Sequence, residues 1–190
     1  MKNIKDLKIK TKEGFELKNL QRFPSMEWGD EGGMKAHLFY QGADVMEILQ
    51  EGNGGCACCY TNDIFKEHAD EIKFMALKFL QRVDESYGPK SKYDWLKNKT
   101  WNKIDDDDFE AVANNIEERY DDIQLAKKAF KQGYKAVALL KNHFQTAILN
   151  YKVDDITYEE VARWLDKNPD VKKQYPDFEI IRCTDTLTVF

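Results

Sequence analysis

The chain has 190 residues with 33% charged side chains, above the usual figure of about 25%, and a formal net charge of −5. Four Trp, eleven Phe and 13% aromatics overall exclude a disordered chain, and ten Gly, four Pro and four Cys exclude collagen-like, low-complexity and disulfide-scaffold classes. This length suits one domain with a core of its own, so a single α+β domain over residues 1–190 is expected.

Residues 1–12 alternate lysine with apolar positions and lack the apolar region of a secretory signal. No run of about 18 apolar residues follows, so no transmembrane helix is read and a cytoplasmic protein is expected. Cys56, Cys58, Cys59 and Cys183 fit a reducing compartment as free thiols.

The N-terminal third reads as strands. Phe15 to Phe23 is one. Met34 to Tyr40 and Ala43 to Leu49 flank Gln41-Gly42, a two-residue hairpin turn. Gly52-Asn53-Gly54-Gly55 then leads into a strand over Cys56 to Tyr60. Phe65, Ala69, Ile72, Ala76, Phe79 and Val83 recur at helical spacing, with Thr61 or Asp63 as cap and Gly88-Pro89 as stop. Phe109 to Phe130 carries a second helical stripe, acidic at its start and basic at its end, as the helix dipole favours, with Gly133 at C′. Tyr134 to Asn142 and Thr146 to Val153 read as two strands rather than more helix. Ile156 to Lys167 is a short helix capped by Asp154 or Asp155, and 178–183 and 187–190 are closing strands. The fold class is α+β, an antiparallel sheet built from hairpins with three main helices.

Two loops hold the candidate ligand-binding residues. Glu27, Trp28, Asp30 and Glu31 place three carboxylates and an indole before a strand, where they could grip a cation or stack a base. The same residues also suit a solvated turn with its Trp packed on the sheet. Asn53, Gly54 and Gly55 could form a nest of backbone N–H groups for an anion. No Walker pattern accompanies them, and a bulged connection explains them as well. Both loops flank the same hairpin, so in an up-and-down sheet they meet at one end as a composite site.

The thiols could hold zinc or act as a nucleophile at Cys56 or Cys58, with His37 in a neighbouring strand as base and His68 or His143 as further ligands. In a strand, Cys56 and Cys58 share one face and Cys59 takes the other, which resists a three-ligand site and fits buried thiols. Asp105 to Asp108 lacks EF-hand spacing and suits a helix start. Lys127, Lys128, Lys131, Lys135 and Lys141 suit a solvated face beside strong acid, which argues against nucleic acid as partner. Tyr158, Trp164 and Leu165 read as core or interface anchors.

The pattern Phe23-Pro24-Ser25-Met26-Glu27-Trp28-Gly29-Asp30-Glu31-Gly32-Gly33, a hairpin, then Gly52-Asn53-Gly54-Gly55-Cys56, resembles small uncharacterised proteins of phages and low-GC bacteria over residues 15–60. That resemblance transfers no catalytic residue. It implies a context in which a small phage protein binds and diverts a host factor.

The expected function is therefore a non-catalytic binding protein, a modulator or inhibitor of a host protein or a sequesterer of a nucleotide, with no cofactor and no membrane partner. The alternative is a small thiol- or metal-dependent hydrolase acting on a phosphorylated or nucleotide substrate. A third reading, a DNA mimic, would use the nine acids of residues 105–122.

Overall fold

Five strands follow one another antiparallel and in chain order: β1 (Asn3–Lys10), β2 (Phe15–Phe23), β3 (Gly33–Tyr40), β4 (Ala43–Gln50) and β5 (Cys58–Thr61). They belong to a computed structural model that describes residues 3–23, 33–51, 57–86, 94–141 and 146–185. Along β3, Met34, Ala36, Leu38 and Tyr40 are buried while Lys35, His37 and Phe39 between them are half-buried on the other face. That is the period-two pattern of a sheet covered on one side. The β3–β4 turn is Gln41-Gly42, with φ of 50° and 88°. Positive φ at both central residues gives the turn whose twist matches the strands.

Two β-bulges set which side chains face inward. Register shifts in β2 between Lys18 and Gln21, where Asn19 has φ of 52°. In β4, Met46 pairs with Leu38 but Asp44 with Phe39, leaving Val45 as the extra residue. An extra residue reverses the facing of everything beyond it, so Val45 and Met46 are both buried and Asp44 and Glu47 share the outer face.

Helices cover the inner face: α1 (Asp63–Glu67), α2 (Ala69–Ser86) and the start of α3 (Asp106–Lys131), with two 3₁₀ turns at Asp94–Asn98 and Trp101–Lys103. Ile72, Ala76, Phe79, Leu80 and Val83 form the buried stripe of α2. Phe15 meets Tyr40 at 5.2 Å and Phe79 at 6.4 Å between ring centres, while Phe65 of α1 meets Phe109 of α3 at 5.6 Å. The expected single helix from residue 63 is interrupted at His68. Its cap is neither Thr61 nor Asp63 but Asn62, whose side chain accepts from the N–H of Phe65 and donates to the Asp44 carbonyl.

The described residues divide into two units, one up to Glu118 and one from Arg119. The second holds a three-stranded antiparallel sheet in the order β7 (Thr146–Tyr151), β6 (Ala136–Lys141), β8 (Asp177–Arg182). Ala136, Ala138 and Leu140 of β6 pack with Ile156, Leu165 and Val161, the last two on α4 (Tyr158–Asp166), and with Tyr175, which follows α5 (Pro169–Gln174). Val137 and Leu139 pack on the opposite face with Ala126 and Ala129 of α3 and with Ile181. Burial on both faces explains the unbroken apolar run Ala136 to Leu140. The cap of α4 is Thr157, reciprocated by Glu160 in a capping box, in place of Asp154 or Asp155. The expected stop at Gly88-Pro89 and strand at 187–190 lie outside the described residues. No helix among the described residues is long and apolar enough to cross a membrane.

Helix α3 ends as its sequence predicts. Gly133 has φ of 89°, its N–H donates to the Phe130 carbonyl at 3.0 Å, and the Tyr134 N–H donates to that of Ala129 at 3.3 Å. These two bonds close the last turn around a left-handed residue. A Cβ at Gly133 would meet nothing within 4 Å, so Gly133→Ala should cost about 1 kcal/mol through φ alone. Urea unfolding of the two proteins checks this.

Candidate functional site

Glu27, Trp28, Asp30 and Glu31 lie in residues 24–32, and Asn53, Gly54 and Gly55 in residues 52–56, all outside the described residues. The strand ends that border these segments are described, and they are neighbours. Phe23 pairs with Gly33, Met34 with Gln50, and Leu49 with Cys58.

The outer face of the same sheet carries a strip of charge. His37 Nδ1 lies 2.8 Å from Asp44 Oδ2, and His37 Nε2 lies 3.4 Å from Glu47 Oε2. The Lys35 ammonium is 2.8 Å from that Glu47 oxygen, and the Lys18 ammonium sits 4.0 Å over the Phe39 ring. The bulge at Val45 is what lets two carboxylates three residues apart flank one imidazole. For Cys58 this corrects the expected thiol–imidazole pair. Strand β4 lies between β3 and β5, so His37 is two strands, about 10 Å, away from Cys58. Both of its ring nitrogens face carboxylates.

Of the cysteines in β5, Cys58 is exposed and Cys59 half-buried against the start of α3. The Cys59 N–H donates to the Asp106 carboxylate at 3.2 Å, and its thiol donates to the Asp106 carbonyl at 3.6 Å. Burial, with the negative charges of Asp106 and Glu110 added, pushes the Cys59 thiol up to about 12. A nucleophile needs the thiolate, and this site suppresses it. Cys56 lies outside the described residues, and among those described no group of three or more His, Cys, Asp or Glu is placed to hold a metal ion.

The acidic run is a helix start, as expected. The Asp105 carboxylate accepts from the Asp108 N–H at 3.3 Å, and the Asp108 carboxylate accepts from the Asp105 N–H at 2.8 Å. This reciprocal cap uses aspartate in both positions. Asp108 is buried and paired with Lys99. Glu117 is buried against the Arg22 guanidinium, which reaches its Oε1 at 2.6 Å. Asp122 is buried too, so three of the nine acids that a DNA mimic would display face inward.

Sequence reasoning passed over one charged cluster, in the second unit. Arg119 Nη1 donates to Glu179 Oε2 at 2.7 Å, Lys141 Nζ lies 3.4 Å from that oxygen and pairs with Asp122, and Thr146 Oγ1 donates to Asp122 at 3.3 Å. Lys127, Lys128, Lys131 and Lys135 are exposed as the solvated-face reading requires, but Lys141 is not. A signal was available: Lys141 closes an otherwise apolar strand, while Arg119 and Asp122 are one helical turn apart. Leu165 is core, Trp164 packs beside it, and Tyr158 is exposed with its ring stacked 4.1 Å from Phe178.

No protein-family model matches the chain, and no curated protein or solved structure is similar to it.

Two measurements check these environments. Alkylation near neutral pH, mapped by mass spectrometry, should label Cys58 and Cys183 well before Cys59, and Cys59 labelling should climb only as pH approaches 12. For Lys141, burial alone would lower the pKa, but the carboxylates of Asp122 and Glu179 outweigh it and hold the ammonium above its ordinary 10.5. A raised folded value contributes stability below the unfolded pKa and loses it as pH climbs through the folded one. Lys141→Ala should therefore cost about 3 kcal/mol near neutral pH, with Asp122 left buried and unpaired. That deficit should shrink at strongly alkaline pH in parallel urea titrations.

Proposed function

We propose that the chain is a non-catalytic binding protein, a modulator or inhibitor that engages a host protein or holds a small nucleotide, acting through the end of the five-stranded sheet where segments 24–32 and 52–56 depart. The observation supporting this is the strand register. Phe23 pairs with Gly33, Met34 with Gln50 and Leu49 with Cys58, so both segments start and finish at one end of one sheet. Glu27, Trp28, Asp30 and Glu31 then share an anchoring platform with Asn53, Gly54 and Gly55. Carboxylates and an indole on one connection, with glycine backbone on the other, suit a ligand that has a flat apolar part and several hydrogen-bonding groups.

The hydrolase alternative has less behind it, because His37 lies two strands from Cys58 and has both ring nitrogens against carboxylates.

The test uses the full chain in two assays: co-purification from host cells, and thermal shift against a panel of nucleotides. A ligand at about a hundred times its Kd adds about 2.7 kcal/mol, which for a chain of this size raises Tm by about 5–10 °C. Replacing Glu27, Trp28, Asp30 and Glu31 by alanine, or Gly54 and Gly55 by valine, should weaken the captured partner or ligand about tenfold or more. Undiminished binding by both variants would overturn the assignment.

A further inference from the structure

We draw no further inference here: the strongest candidate, the uncharged outer edge of β7 in the three-stranded sheet, carries nothing, because nothing in the structure shows what covers it.

Discussion

The first unit depends on the contact between Phe15 of the sheet and Phe79 of α2. Both side chains are fully buried, and Tyr40 completes the aromatic group from the neighbouring strand β3. The Tyr40 hydroxyl then donates to Glu71 at 2.7 Å, so one side chain supplies both apolar contact and a polar tie to the helix. The turn before β2 is fixed to the same helix by Glu13, whose carboxylate takes two bonds of 2.7 Å from the Arg82 guanidinium. With α2 held in this way, the inner face of β2 and β3 is sealed and the outer face is left for charge. Every later placement on that face, including the His37 strip, follows from which side the helix covers.

The charge excess divides into two kinds. Much of it is solvated, as on the lysines of the last turns of α3. The rest forms partly buried pairs, Arg22 with Glu117 and Arg119 with Glu179 across long stretches of sequence and Lys99 with Asp108 over a short one. Such pairs add little net stability over apolar packing, but losing the cation leaves Glu117 or Asp108 as a buried ion. Three of these carboxylates project from α3, at Asp108, Glu117 and Asp122.

Local chemistry made much of this fold legible. The Gln41-Gly42 hairpin, the bounds of β2, the end of α3 at Gly133 and the two strands after it all rest on signals within a few residues of the feature. Other features depend on distant partners and were not legible. Asn62 outcompetes Thr61 and Asp63 as cap because the Asp44 carbonyl is there to take its amide. The bulges at Asn19 and Val45 have no glycine to mark them. The separation into a five-stranded and a three-stranded sheet depends on burial of β6 from both sides, which its apolar run suggests but does not specify. For the candidate site, the sequence identified the two connections and their common end, and register supports that common end. The high pKa of Cys59 was hidden because it comes first from burial in the fold and then from the charge of Asp106, forty-seven positions along the chain.

The extra residue at Val45 also bears on how this protein can change. Before it and after it, β4 follows opposite parities, so the strand carries two reading frames. Losing Val45 would place Asp44 directly next to Met46, still opposite Phe39 on the outer face, and would straighten the strand at the cost of one buried valine side chain. Losing a residue from a regular part of the hairpin would instead turn every side chain beyond it to the other face. Sequences that diverge from this one can therefore differ in length by one residue at position 45, while the regular parts of β3 and β4 should hold their length.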